Sequence, residues 1–167
     1  MIDRELRKLA TRVLASCRAR GLKIATAESC TGGLVAAVLT EIAGSSDVFD
    51  RGFVTYSNEA KRELLGVPAA TLKRHGAVSA ETAAAMAKGA LKHSVADVAI
   101  AITGIAGPGG GSKEKPVGLV YFAAASRNGR LVEHSRRYGK IGRGQVRQRS
   151  VTEALRLLRL LAETNPR

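Results

Sequence analysis

The feature that most limits the fold is an uninterrupted apolar run, Val98-Ala99-Ile100-Ala101-Ile102. The run has the length of a strand and no polar residue at either alternating position, which is typical of a central strand buried on both faces. Such a strand needs helices on both faces of its sheet. The strand is predicted over 97–103, and the glycine-rich segment 104–116 follows it at a sheet end, where α/β domains tend to bind ligands.

The rest of the chain alternates between strand and helix patterns. Further strands are predicted at 22–27, 53–56, 117–126 and 131–138, and helices at 3–20, 34–42, 58–65, 80–93 and 145–162. Asn128-Gly129 predicts a hairpin between the last two strands. This order predicts an α/β fold, a single three-layer α-β-α domain over residues 1–167 with a mixed, mostly parallel sheet.

Composition narrows the class of protein. No apolar stretch reaches the roughly 18 residues that span a bilayer, and the polar start Met1–Glu5 is unlike a signal peptide. Cys17 lies on the apolar stripe of the first helix and is predicted to be a buried packing residue, which leaves Cys30 as the other cysteine. Two cysteines without an export signal predict a reducing, cytoplasmic location, and the scattered histidines predict no metal site.

The charge is strongly positive and unevenly distributed. The formal net charge is +13, and residues 127–149 contribute +7 of it, from eight basic residues against Glu133. Such a segment steers an anionic substrate, a phosphate or a nucleic acid, or it is a solvent-facing surface. The sequence leaves both interpretations open.

The turn Glu28-Ser29-Cys30-Thr31-Gly32-Gly33 joins a predicted strand to a predicted helix. There the backbone N–H groups of Thr31, Gly32 and Gly33 could stabilise an oxyanion beside Ser29. The alternative is a capped turn, in which Ser29 or Thr31 satisfies the free amides of the helix start. Cys30 is a rival nucleophile, because thiolates at helix N-termini are activated.

The segment from Tyr56 to Lys61 follows a strand and opens a helix. Tyr56 and Lys61 could carry protons, since desolvation lowers the pKa of a lysine and makes it a base. The alternative is an exposed helix start, with Asn58 as the cap and Lys61 in solvent.

The loop that follows the central strand and the start of the last helix form a candidate phosphate site. Its positions are Thr103, Gly104, Gly107, Gly109, Gly110, Ser112 and Arg143. The glycines would let backbone amides approach a phosphate or a ring, although the loop matches neither the Walker nor the dinucleotide pattern. A flexible connector is the alternative for the loop. Arg143 suits a phosphate beside a helix start, and Arg147, four residues later, binds with it or lies on the surface.

Taken together, these segments resemble the CinA C-terminal family, also called nicotinamide-nucleotide amidases. The resemblance rests on long ordered motifs at 26–33, 51–61, 75–79, 103–108 and 115–118. It implies hydrolysis of the carboxamide of nicotinamide mononucleotide to nicotinate mononucleotide and ammonia. It implies no metal or organic cofactor, no membrane, and a homodimer or higher homo-oligomer as the assembly.

The resemblance also assigns roles to residues. Ser29 is the nucleophile, Lys61 takes its proton and Tyr56 relays or orients that proton. Oxyanion and substrate-binding roles fall on Cys30, Thr31, Gly32, Gly33, Asn58, Thr103, Gly104, Gly107, Gly109, Gly110, Ser112 and Arg143. One departure is that many relatives carry Gly-Asp-Arg before the last helix, where this chain reads Gly139-Lys140-Ile141-Gly142-Arg143.

Two other functions compete with the amidase. One is a nucleic-acid-binding or competence-linked module, favoured by the charge but opposed by an aromatic content of 4% and by the absence of a recognised motif. The other is a regulator that binds a nucleotide without turning it over.

Overall fold

A computed structural model describes residues 2–165, which form a five-stranded sheet with helices on both faces. The helices are α1 (Arg4–Arg18), α2 (Leu34–Thr40), α3 (Asn58–Leu65), α4 (Ala69–His75), α5 (Ala80–Lys92) and α6 (Arg143–Thr164). The strands are β1 (Ile24–Glu28), β2 (Phe49–Val54), β3 (Val98–Gly104), β4 (Leu119–Ser126) and β5 (Leu131–Arg137). None of the described helices is long and apolar enough to cross a membrane.

The strand order is β2-β1-β3-β4-β5. Strand β1 pairs in parallel with β2 and β3, whereas β4 pairs antiparallel with β3 and β5. Four strands therefore run in one direction and β4 runs in the other. The predicted α/β class with a mixed, mostly parallel sheet is confirmed, as is the central position of the 97–103 strand.

The two faces of the sheet carry different side chains because successive residues of a strand point to opposite sides. Branched and aromatic residues such as Ile100, Ile102 and Phe122 face α1, α2 and α6, and Cys17 is buried in this layer as predicted. Alanines such as Ala99 and Ala101 face α5 on the other side. Small side chains there let α5 approach the sheet closely.

Helix α5 also lies unusually close to the end of α3. A Cβ built on Gly89 would lie 2.0 Å from the backbone oxygen of Leu65, a distance that real Cβ atoms do not adopt. The absent side chain is therefore what allows the two helices to meet. Because Lys61 lies one turn before Leu65 on α3, we expect this contact to help hold Lys61 at a fixed depth.

Two predicted elements need correction. Strand β2 covers Phe49–Val54 rather than 53–56, because it is a half-exposed edge strand in which Asp50, Arg51 and Gly52 interrupt the apolar pattern. Helix α4 is absent from the predicted set, because it has no buried residue and so no apolar stripe to reveal it.

Candidate active site

Four chain segments meet at the edge of the sheet where the parallel strands end. They are the turn after β1, the segment Thr55-Tyr56-Ser57 after β2, the loop after β3, and the first turns of α6. Carboxyl ends of parallel strands are the usual ligand-binding edge of an α/β sheet.

Lys61 and Ser29 form the polar centre of this edge. Lys61 is 1% exposed, and its Nζ lies 3.0 Å from Ser29 Oγ. The same nitrogen lies 2.8 Å from the backbone oxygen of Thr55 and 3.3 Å from that of Tyr56. Burial lowers the pKa of Lys61 from its ordinary value of 10.5, since a charged ammonium is costly away from water.

The neighbours of Lys61 accommodate both of its protonation states. An ammonium has three N–H donors, and its three acceptors are the backbone oxygens of Thr55 and Tyr56 and Ser29 Oγ. An uncharged amine can keep the two backbone contacts and turn its lone pair to the hydroxyl proton of Ser29. This arrangement makes Lys61 able to act as a general base on Ser29.

Local sequence explains how α3 carries a lysine inward. Ser57 caps the helix by accepting the N–H of Ala60 at 3.0 Å, and Gly66 ends it with a positive φ of 66°. Lys61 and Leu65 form the buried face of the eight-residue helix. The alternative of a solvated Lys61 with Asn58 as the cap is wrong, because Ser57 is the cap and Asn58 is an exposed first residue.

Glu28 is a residue that the sequence prediction missed. Its carboxylate is fully buried, and it accepts the backbone N–H groups of Gly33 and Val35 at 3.0 Å each and of Ala36 at 2.9 Å. An acid at a helix N-terminus is electrostatically favourable. Glu28, rather than Ser29, therefore satisfies the first amides of α2, and the hydroxyl of Ser29 is free of a capping role.

The backbone amides of the turn divide into engaged and free groups. Gly32 N–H donates to the backbone oxygen of Ser29 at 3.0 Å, and Gly33 N–H is held by the buried carboxylate. Within residues 2–165, the N–H of Thr31 donates to no protein acceptor, and that of Cys30 is directed to its own sulfur. Of the three amides predicted to bind an oxyanion, only that of Thr31 is available.

Cys30 is poorly suited to be the nucleophile. Burial, with a smaller contribution from the Glu28 carboxylate, raises the pKa of its thiol to about 12. The thiol is therefore protonated at neutral pH, and only a thiolate is a strong nucleophile.

We expect Cys30→Ala to retain at least about a third of the wild-type kcat, because the thiol supplies no reacting group. Pretreatment of the wild type with iodoacetamide is expected to leave turnover unchanged, while Ser29→Ala provides the inactive reference. Loss of activity on alkylation, matched by loss in Cys30→Ala, would instead identify the thiol as the nucleophile.

The side chain of Tyr56 is directed away from Lys61. It is 60% exposed, and its hydroxyl accepts a hydrogen bond from Arg143 Nη2 at 3.0 Å. The other terminal nitrogen of Arg143 donates to the backbone oxygen of Gly107 at 2.9 Å. Tyr56 thus contacts Lys61 only through its backbone oxygen, and its hydroxyl belongs to the Arg143 side of the site.

The loop after β3 is tied to its surroundings at several points. Thr103 Oγ1 donates to the backbone oxygen of Ala77 at 2.7 Å, and Lys115 Nζ donates to that of His75 at 2.6 Å. Ser112 Oγ accepts the backbone N–H of Lys115 at 3.0 Å, so this hydroxyl closes a turn within the loop.

The other predicted loop positions are the glycines at 104, 107, 109 and 110, of which Gly109 and Gly110 are exposed. A Cβ on Gly104 would lie 2.7 Å from the side chain of Val120. Packing against β4 is therefore enough to explain why residue 104 is a glycine.

Arg147 also reaches the turn after β1. Its Nε lies 3.2 Å from the backbone oxygen of Cys30, and its Nη2 lies 3.2 Å from that of Thr31. Of the two interpretations left open for Arg147, the free surface position is wrong, because the side chain is half-buried against this turn.

The arginines of the basic segment 127–149 make several separate contacts. Arg127 binds backbone oxygens at and beyond the end of α5, Arg130 binds the end of α6, and Arg136 pairs with the buried Glu153 at 3.1 Å. Arg143 and Arg147 lie at the candidate site. Arg137, Lys140 and Arg149 are exposed.

Comparison with known proteins gives a consistent family assignment. Residues 6–162 match the model of the CinA C-terminal domain. The chain is 51% identical over 158 residues to nicotinamide-nucleotide amidohydrolase PncC of Escherichia coli K12, covering 95% of each. It also spans 30% of a longer relative from Caldicellulosiruptor bescii, named for competence damage, with 56% identity over 127 residues.

The fold matches a solved structure closely. The competence/damage inducible protein CihA from Agrobacterium tumefaciens is 55% identical in the aligned region and superposes with a TM-score of 0.95. The match covers 96% of this chain and 98% of that protein.

Proposed function

The chain belongs to the CinA C-terminal domain family, and on that premise we propose that it hydrolyses the carboxamide of nicotinamide mononucleotide. The products are nicotinate mononucleotide and ammonia. The observation that carries the proposal is the 3.0 Å contact between Ser29 Oγ and the buried amine of Lys61. The name of the Escherichia coli relative supports the substrate class.

Acylation begins with Lys61 as the base. Neutral Lys61 takes the proton of Ser29, and Ser29 Oγ bonds to the carboxamide carbon, whose oxygen becomes an oxyanion. The free N–H of Thr31 donates to that oxyanion. When the intermediate collapses, the carbon–nitrogen bond breaks and the proton on Lys61 passes to the departing nitrogen, which leaves as ammonia.

Deacylation repeats the same steps with water. Lys61, neutral again, takes a proton from a water molecule, which attacks the ester carbon of the acyl-enzyme. The second intermediate collapses by breaking the bond to Ser29 Oγ, and Lys61 returns its proton to that oxygen. The pyridine now carries a carboxylic acid, which loses its proton to solvent and becomes the carboxylate.

Recognition of the ribose phosphate falls to the other half of the site. Arg143 is held between Tyr56 and the glycine-rich loop, so its guanidinium is placed before the substrate arrives. A preorganised guanidinium suits a phosphate, and binding energy from the phosphate can position the distant carboxamide. The exposed Gly109 and Gly110 and the exposed Asn58 complete the proposed contacts.

The test is ammonia release, measured together with formation of nicotinate mononucleotide by chromatography. We expect turnover of nicotinamide mononucleotide, and at least about a 10²-fold lower kcat/KM for nicotinamide riboside, which lacks the phosphate. Ser29→Ala, purified in parallel, controls for contaminating amidases. If nicotinamide mononucleotide raises the melting temperature without ammonia release, the protein is a binding module. If it does neither, the substrate class is wrong.

The pH dependence follows from the direction of the Lys61 pKa. Lys61 works as a base only when neutral, and burial moves its pKa below 10.5, so activity is lost as the pH falls through the lowered value. We expect log(kcat/KM) to rise by one unit per pH unit and to level off below pH 10.5. A rate that falls as the pH rises would contradict a lysine base.

The dimer and the cytoplasmic location expected from the sequence remain predictions. Light scattering of the purified protein checks the first, and fractionation of cells checks the second.

A further inference from the structure

Arg147 has a role beyond those already described. Its guanidinium donates to the backbone oxygens of Cys30 and Thr31, the two residues that follow Ser29. We propose that Arg147 is a positioning residue that orients the backbone N–H of Thr31 toward the oxyanion of the tetrahedral intermediate. This inference rests on the proposed function, because it concerns the same reaction.

The geometry of the peptide unit links these two contacts to the amides. In a trans peptide, the C=O of one residue and the N–H of the next point in opposite directions. By holding the oxygen of Cys30, Arg147 turns the N–H of Thr31 away from itself. By holding the oxygen of Thr31, it does the same to the N–H of Gly32.

The observed hydrogen bond of the Gly32 N–H agrees with this geometry. The N–H of Gly32 donates to the backbone oxygen of Ser29 at 3.0 Å, so the side of the turn opposite Arg147 is the side of Ser29. In the described part of the chain, the N–H of Thr31 has no acceptor although the Thr31 residue is fully buried. A buried donor without a partner is rare in proteins and is often associated with function.

A second charged group holds the same turn from the other end. The Glu28 carboxylate binds the N–H groups of Gly33, Val35 and Ala36, so a cation fixes the carbonyls and an anion fixes the later amides. Gly32 lies between the carbonyls held by Arg147 and the amides held by Glu28, with a φ of 58°. Because glycine has no side chain, the backbone at this position can rotate easily. Without Arg147, the Thr31–Gly32 peptide unit is still held by Leu34 N–H and by the Ser29 oxygen, whereas the Cys30–Thr31 unit, which carries the N–H of Thr31, loses its carbonyl contact.

Arg147 could instead bind the phosphate of the substrate, as proposed for Arg143. The two roles differ in what the mutation removes. A phosphate ligand stabilises substrate, intermediate and product alike, whereas a residue that orients an oxyanion donor acts only when the tetrahedral oxygen exists.

The experiment compares Arg147→Ala and Arg147→Lys with the wild type, and uses Arg149→Ala, an exposed arginine on the same helix, as the matched control. Steady-state kinetics with nicotinamide mononucleotide are combined with two binding measurements. One ligand is the product, nicotinate mononucleotide. The other is the 3-aldehyde analogue of the mononucleotide, whose carbon accepts Ser29 Oγ while Lys61 takes the proton and the aldehyde oxygen becomes an oxyanion.

We expect Arg147→Ala to lower kcat by about 10²–10³-fold with KM changed by less than about threefold. The aldehyde should bind more weakly by a similar factor, whereas the affinity for the product should be unchanged. Arg147→Lys should recover part of kcat but not all of it, since one ammonium cannot hold two carbonyls in the planar geometry of a guanidinium. Arg149→Ala should behave as the wild type does.

Four results would overturn the inference. A raised KM with parallel loss of affinity for product and aldehyde would make Arg147 a phosphate ligand. Unchanged kcat in Arg147→Ala, or full kcat in Arg147→Lys, would show that its carbonyl contacts do not orient the oxyanion donor. Absence of turnover in the wild type would overturn the proposed function and this inference together.

Discussion

Replacing Lys61 with methionine is expected to lower kcat for ammonia release by at least about 10⁴-fold. Methionine fills a similar volume, but its thioether is not a base and cannot take the hydroxyl proton of Ser29, whose Oγ lies 3.0 Å from the amine in the wild type. Ser29→Ala should cause a loss of the same order, because it removes the group that the amine activates. The double variant should be no slower than either single variant, since residues that act as a unit are not additive.

The matched control for this prediction is Lys88→Met, at an exposed position on α5. It makes the same chemical change and should leave kcat within about twofold of the wild type. Thermal melting shows whether Lys61→Met is folded, because methionine leaves two backbone oxygens without their donor. A folded Lys61→Met protein with more than about a tenth of wild-type kcat would mean that another group is the base.

The largest expected effect on stability comes from Gly89→Ala. A Cβ at this position would lie 2.0 Å from the backbone oxygen of Leu65 and 2.8 Å from its carbonyl carbon, and neither atom can move without moving α3. Overpacking usually costs about 1–3 kcal/mol, and a clash with backbone places this variant at the upper end. For a domain of this size, we expect the melting temperature to fall by about 5–10 °C.

Gly144→Ala provides the control, because it makes the same substitution inside a helix where a Cβ would meet nothing within 4 Å. Alanine favours a helix over glycine by about 1 kcal/mol, so this variant should melt at or slightly above the wild-type temperature. Equal melting temperatures for Gly89→Ala and the wild type would show that α3 and α5 separate at little cost. In that case Lys61 would not be held at a fixed depth by this contact.

Most of the fold could be predicted from the sequence, because the spacing of apolar residues along the chain shows which positions are buried. The strand predicted over 97–103 is β3, at Val98–Gly104, and the hairpin predicted at Asn128-Gly129 joins β4 to β5. Strand β2 was misplaced because an edge strand is only half-buried, so alternation along it is weak.

The chemistry of the site was harder to predict because it depends on contacts between distant segments. The local sequence around Lys61 is equally compatible with an exposed helix start, whereas in the fold its amine is enclosed with Ser29, 32 residues away, and the backbone oxygen of Thr55. Glu28 reaches amides five to eight residues later, farther than the short-range capping pattern extends. Arg147 contacts residues that are 116 and 117 positions away, which no local motif reveals.

If Ser29 is activated by an amine, as proposed, the site differs from that of a serine–histidine hydrolase in the identity of its base. The three histidines make their contacts elsewhere: His75 with Glu81, His93 with a carbonyl of α5, and His134 with Glu153. Reagents that modify imidazole are therefore expected to leave the Ser29–Lys61 pair intact. A pyridine aldehyde or boronic acid that bonds to the serine would place its anionic group beside a compact ammonium, at the position where a serine–histidine hydrolase presents a flat imidazolium.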